Sequence, residues 1–504
     1  MTLEDLVGQR LMFGIPGPRL RTDDVRLFSE TRAGGLILYR RNFESPAQLL
    51  ALISELEAAL GRRLLIATDH EGGRIIMLRH GVTIFPDNLA VGASGEVLFA
   101  ERQGRVEARE LHRMNVDLNL APVLDVLTDT PSPNIGIRSY GKDPALVARL
   151  GAARVRGMQG VGLSACAKHF PGKGHSPLDA HLRLPTIPSS WEEMKRTHLP
   201  PFIAAIQAGV HAIMTSHPLY PALDPIPSTP ATFSRRIVKD YLRGELGYPG
   251  VVVSDDLEMG AIGELCPVGE AAVKATEAGH DLLLICHTEA AQRQAWAALL
   301  DAYRTKRLSL HDLEASVERT GRLRTTRAAD GEAGPPRPEV EGTPLAKAIT
   351  ARAVTLVQPG PADLKRRLNG SVGVIFPRFS SLAALITIED ALLDETRYLK
   401  EEFSRYSVSP ECLVVGIEPR DAEIESAAGL AARSDVTLLF LFDAHLYPSN
   451  RRLLDRLQEA AQALAVILLR NPYDAEFLTP GVLAITAYGF RRCQLGAVFA
   501  RLLG

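Results

Sequence analysis

Eight short apolar runs punctuate the first two thirds of the chain: LMFGI, GGLILY, LLIATD, VDLNLAPVLDV, SACAKHF, AIMTSH, VVVSDD and LLLICH. Between them lie stretches with apolar residues at three-and-four spacing, such as PAQLLALISELEAAL behind Ser45, DPALVARLGAARVRGMQG and FSRRIVKDYLRGEL, which predict amphipathic helices. Continuous rather than alternating apolar strands joined by helices imply a parallel sheet covered on both faces. Eight such units predict an α/β fold of the (β/α)8 TIM-like barrel type. The periodicity stops at AADGEAGPPRPEVEGTP, where proline, glycine and acids predict a linker over 328–344. Beyond it, GVIF, CLVVGI, VTLLFLF and AVILL alternate with helices such as SNRRLLDRLQEAAQAL. The expected organisation is a barrel over 1–327 and a smaller α/β layered-sheet domain over 345–504.

A chain of 504 residues with 46% hydrophobic and 23% charged positions has ample core and is of the ordinary globular kind. Its 57 basic and 59 acidic residues leave a formal charge of -2, which offers no field for nucleic acid. Five separated cysteines without a CxxC pair support neither a disulfide framework nor a structural zinc. No apolar run approaches the ~18 residues of a membrane span. The N-terminal stretch carries acids early and lacks a basic start, so a cytoplasmic, reduced protein without membrane attachment is expected. No cofactor and no metal are expected, and the oligomeric state is not readable.

In a barrel of this type chemistry gathers where strands end at the C-terminal face. Those ends read Asp69, Asp125, Lys168 with His169, Ser216 with His217, Asp255, and His287. The loop KHFPGKGHSPLDAHLRLP, from Lys168 to Pro185, spends two lysines, three histidines and an aspartate, so it reads as a metal site, an acid/base device or a polar lid. Asp179 and His181 are two apart; in extended backbone they share a side, and the carboxylate could orient the imidazole and raise its pKa. The bland alternative makes Asp179 a turn cap and His181 a surface residue. Metal chemistry is disfavoured, because the first three strands end in Gly14, Tyr39 and Asp69. Asp255 suits nucleophilic attack or stabilisation of a cation, while Asp256 reads as a cap for the next helix. Asp69, before a Gly pair, could accept from vicinal hydroxyls, with Arg138 and Lys168 donating to others and Glu71 a structural acceptor. In the second domain no phosphate-cradling loop is present.

Together GGLILYRRN, TDHEGGR, NLAPVLDV, RSYGKDP, KHFPGKGHSPLDAHLRLP and GVVVSDDLEM resemble, in order and spacing, glycoside hydrolase family 3 and its two-domain β-N-acetylhexosaminidase branch. The second domain is similar through LAKAITARAVTLVQ, NPYDAEFL and ITAYGFRRCQLGAVFARLLG. The resemblance implies a retaining exo-acting β-N-acetylglucosaminidase working by double displacement, with Asp255 as nucleophile and His181 with Asp179 as acid/base dyad. It also implies that Asp69, Arg138, Lys168 and His169 bind the terminal sugar, and that the substrate is a small oligosaccharide or muropeptide from recycled cell wall. Two departures stand out: the family's GHGDT is GKGHS here, at Gly172 to Ser176, and Met77 stands where many members carry arginine. The alternatives are a β-glucosidase-type enzyme drawing its acid from FLFDAHLYPS, for example Asp443, a β-N-acetylglucosaminide phosphorylase, and a degenerate sugar-binding protein.

Overall fold

The computed structural model describes residues 1–128, 132–176, 184–324 and 341–504. Two compact units emerge: Met1–Glu71 with Ile76–Thr83 and Glu96–Gly342, and Gly72–Ile75 with Ile84–Gly95 and Thr343–Gly504. Residues 328–340 of the expected linker lie outside the described residues. Its last positions are not linker, since a helix begins at Gly342 and runs to Ala353.

The first unit is the (β/α)8 barrel. Its strands are β1 (Leu11–Phe13), β2 (Gly35–Leu38), β3 (Leu65–Thr68), β4 (Leu118–Asn119), β5 (Ser164–Phe170), β6 (Ala212–Thr215), β7 (Val251–Val253) and β8 (Leu283–Ile285). All pair in parallel with their neighbours in sequence, β1 pairs with β8, and a bridge from Val253 to Leu282 closes the ring. Each expected apolar run has become a strand with no exposed residue, as a sheet covered on both faces requires. β4 is the shortest because Pro122 has no N–H to give to the ladder. Pairing resumes at Val123, whose partner is Lys168. Side chains such as Met12, Ile37, Leu118, Cys166, Met214 and Leu284 fill the interior.

The expected helices form for identifiable reasons. Pro46–Leu60 starts on Ser45, whose side chain accepts from Gln48 N at 3.2 Å, and stops at Gly61 in the left-handed region. Pro144–Gln159 is capped by Asp143, which accepts from Ala145 N at 2.9 Å. The third predicted helix differs in kind, as Arg236–Glu245 is wound in the wider π form.

In the second unit, β9 (Thr355–Gln358), β10 (Val372–Pro377), β11 (Glu411–Val415), β12 (Val436–Leu441), β13 (Leu464–Leu468) and β14 (Leu483–Thr486) form one sheet in the order β11-β10-β12-β13-β14-β9, with only β9 antiparallel. Alternate residues feed two cores. Val374, Phe376, Leu438 and Phe440 go to one face, and Ile375, Leu439 and Leu441 to the other. The buried guanidinium of Arg491 holds Gly73 O through Nε at 2.9 Å and Nη2 at 2.6 Å, tying the 72–75 segment into this unit. Among the described residues no helix is long and apolar enough to cross a membrane. All five cysteines are free thiols.

Candidate active site

At the C-terminal ends of β3, β5 and β7 the barrel assembles a buried set of charges. Asp69 and Glu71, beyond β3, both face Lys168 near the end of β5: its Nζ pairs with Asp69 Oδ1 and lies 2.7 Å from Glu71 Oε1. Glu71 also receives a two-pronged contact from Arg138, Nε to Oε2 and Nη2 to Oε1, each 2.8 Å. Burial alone would raise the Glu71 pKa, but Arg138 and Lys168 reverse this and hold it at about 2. The reading of Glu71 as a structural acceptor thus agrees with the geometry. Arg138 is more committed than expected of a sugar ligand, since its Nη1 donates to Asn134 O at 3.0 Å and Oδ1 at 2.8 Å.

Beneath Glu71 lies a support that sequence reasoning missed. Arg154 donates through Nη2 to Glu71 O at 2.6 Å and to Glu107 Oε1 at 2.9 Å, with both side chains wholly buried.

His169 and Asp125 form a second cluster. His169 Nδ1 lies 2.7 Å from Asp125 Oδ2, and Asp125 Oδ1 accepts from Lys173 N at 2.7 Å. Burial, reinforced by the cations Lys173, Arg138 and Lys168, drives the His169 pKa well down, so the imidazole is neutral. Its Nδ1–H then donates to Asp125, which leaves Nε2 as an acceptor suited to a hydroxyl. Asp125 is a support for that imidazole.

Asp255 sits just beyond β7 with its side chain 17% exposed, the opening a reacting group needs. Burial raises its pKa, but Lys173, His217 and Lys168 outweigh it and the net shift is downward. Lys173 Nζ is 3.7 Å from Asp255 Oδ2 and only 5% exposed. This lysine is the neighbour of Asp255 that the sequence reading passed over, although GKGHS displayed it. Its loop has no slack: a side chain at Gly174 would meet Val126 O at 1.8 Å. His217 is 2.9 Å through Nε2 from Asp256 O and 2.7 Å through Nδ1 from Thr232 Oγ1, fixing the backbone behind Asp255.

Asp256 caps no helix, contrary to expectation. Its Oδ1 accepts from Glu258 N at 3.1 Å within a turn, and the next helix, Gly260–Gly263, follows Met259. Asp179 and His181 lie outside the described residues. The chain is described to Ser176, whose N donates to Lys173 O at 3.1 Å, and again from Leu184, which packs on Met259 and Ala261 beyond Asp255.

A cleft of about 950 Å³ opens at the opposite barrel end, beside Arg10, His280 and Arg319. Its cations are largely spent on ion pairs, Arg243 and Arg319 on Asp281 and Arg307 on Glu270 and Glu277, so no reactive set converges there.

Comparison with known proteins identifies the family of the barrel and its relatives. The profile described as glycosyl hydrolase family 3 N terminal domain matches residues 2–323. A β-hexosaminidase of Pseudomonas aeruginosa is 40% identical over 294 residues, 57% of this chain and 86% of that protein. The structure of a glycoside hydrolase family 3 β-N-acetylglucosaminidase from Paenibacillus sp. str. FPU-7 superposes with a TM-score of 0.90 at 34% identity, covering 100% of this chain and 97% of the other. NagZ from Neisseria gonorrhoeae, solved in complex with N-trifluoroacetyl-D-glucosamine, is 32% identical, with a TM-score of 0.56 over 68% of this chain and 97% of its own.

Proposed function

From the premise that the chain belongs to glycosyl hydrolase family 3, we propose that it is a retaining, exo-acting β-N-acetylglucosaminidase. The observation that carries the mechanism is Asp255, a carboxylate at a strand end that neighbouring cations hold ionised despite its burial. Its oxygen attacks the anomeric carbon and displaces the aglycone oxygen, giving a glycosyl ester. His181, oriented by Asp179, gives the leaving oxygen its proton and then takes one from the water that cleaves the ester. These two roles rest on the sequence resemblance. Asp69 and the neutral His169 offer acceptors to the sugar hydroxyls, and Lys168 offers donors. Arg138 fixes Glu71, which in turn pairs with Lys168. That the related structures are described as a β-N-acetylglucosaminidase and as a complex with an N-acylated glucosamine supports the choice of sugar. Muropeptides are the substrate the resemblance favours. We also retain the division into a barrel, a linker and a smaller α/β domain, the last beginning at Thr343 and joined by 72–75 and 84–95.

The test is release of p-nitrophenol from the β-N-acetylglucosaminide and the β-glucoside by wild type, Asp255→Ala and His181→Ala. Preference for the acetamido sugar is expected, with a loss on the order of a thousandfold in Asp255→Ala. Glucoside preference with His181 dispensable would overturn both the dyad and the sugar.

A further inference from the structure

The second unit carries a cluster of reactive side chains that the glycosidase reading does not use. Asp443 and His445 follow β12, and Asp474 follows the neighbouring β13. The order of the sheet reverses at β10, so these residues lie beyond the strand ends next to its switch point, where open α/β sheets place ligands. Asp474 is accounted for by the fold. Its Oδ2 accepts from Ala444 N at 2.8 Å, and its Oδ1 from His445 N at 2.8 Å and His445 Nδ1 at 2.7 Å. Asp443 is not. Its Oδ2 pairs with Arg470, but Oδ1 is buried without a hydrogen-bond partner, in a residue only 2% exposed. Asn471 Oδ1, next in the chain to Arg470, is likewise buried and unpartnered.

A buried carboxylate oxygen left bare costs ~1–3 kcal/mol or more, and a native chain keeps one where something else completes it. The completing group must accept electrons from oxygen. Asp443 has Arg470 as its one cationic partner and Asp474 is held by Ala444 and His445, so the two carboxylates leave room for a further positive charge. Ligand atoms of Asp443, His445 and Asp474 lie within 4.8 Å of one another. On a tetrahedral ion with bonds of about 2.1 Å they would stand roughly 3.4 Å apart, so a closure of about an ångström completes the site. Two oxygens and one imidazole nitrogen form a set for a divalent ion of the zinc type, not for calcium or magnesium, which prefer oxygen alone.

We propose that Asp443, His445 and Asp474 bind one zinc-type divalent cation in the second unit.

The experiment takes the full-length protein stripped with chelator, reloads it with Zn²⁺ alone, removes free ion by gel filtration and counts metal per chain. Asp443→Asn and His445→Gln are the test variants. Asp255→Asn controls for binding in the barrel, and circular dichroism checks that each variant is folded. One ion per chain is expected in wild type and Asp255→Asn, with affinity at least tenfold weaker in the two test variants. Co²⁺ in place of Zn²⁺ should give a visible absorption band that His445→Gln abolishes. No retained metal in the wild type, or equal retention in folded Asp443→Asn and His445→Gln, overturns the proposal.

Discussion

Lys173 and Glu71 show how single charges set the chemistry of the cup. Lys173 lies 3.7 Å from Asp255 and is the first of the cations that lower its pKa. Replacing it with methionine keeps the length and removes the charge, so burial of Asp255 is then less opposed and its pKa rises. The acidic limb of kcat/KM against pH should move to higher pH. A limb that stays in place while activity falls would mean that Lys173 only fills space. Glu71 gives a stability prediction of opposite origin. Its carboxyl is held at about 2 in the folded protein against an ordinary 4.5. A depressed carboxyl contributes stability that is fully present above the unfolded value and is lost as pH falls through the folded one. Glu71→Gln leaves Lys168 and Arg138 under-compensated, so denaturant unfolding at pH 7 should show a loss of roughly 3–5 kcal/mol. The difference from wild type should shrink between pH 4.5 and pH 2; a constant difference would locate the effect in packing, not charge.

At the scale of elements, the helices Val97–His112 and Pro144–Gln159 approach more closely than side chains permit. A Cβ at Gly157 would meet Glu101 O at 2.1 Å and one at Gly104 would meet Arg154 O at 2.5 Å. The same contact buries the Arg154–Glu107 pair, which reaches up to Glu71 O. Arg154→Met should cost about 3–5 kcal/mol, because it strands a buried carboxylate. The double variant Arg154→Met, Glu107→Met should lose much less than the sum, since both charges leave together. Equal or additive losses in urea unfolding would show that the charges act separately. This pair explains the limit of the sequence reading. The strands were legible because a doubly covered sheet needs uninterrupted apolar runs, and Asp69, Asp125, Lys168, His169 and Asp255 stood out as polar residues ending them. Glu107 and Arg154 were hidden, because charges on helices look solvent-facing and the two are 47 residues apart in the chain. Asp256 was misread for a related reason: a short acceptor after a strand serves a turn or a helix equally well.

The whole molecule departs from a simple succession of domains. Segments 72–75 and 84–95, which follow β3 in the chain, belong to the second unit. Nothing in the apolar pattern signals this, because Phe85, Ala90 and Val91 are buried as any core residues would be. The segments are pinned by Arg491 on Gly73 O, and by Asp87, whose Oδ1 accepts from Arg74 N at 2.7 Å. Burial raises the Asp87 pKa to about 6 although Arg491, Arg470 and Arg74 oppose it, so this carboxylate needs its arginines. The P. aeruginosa relative gives 86% of its length to a match with 57% of this chain, so a barrel of this family there has little room for a second unit. In the present chain residues 1–327 alone would keep the two segments but lose Arg470 and Arg491. Phe85 and its neighbours would be uncovered, and Asp87 would keep only Arg74. That fragment should bind a hydrophobic dye, aggregate and unfold at lower temperature than the full chain, and co-expression with 341–504 should reverse all three. A soluble, monomeric 1–327 with the thermal stability of the full chain would show instead that the segments pack onto the barrel once the second unit is removed.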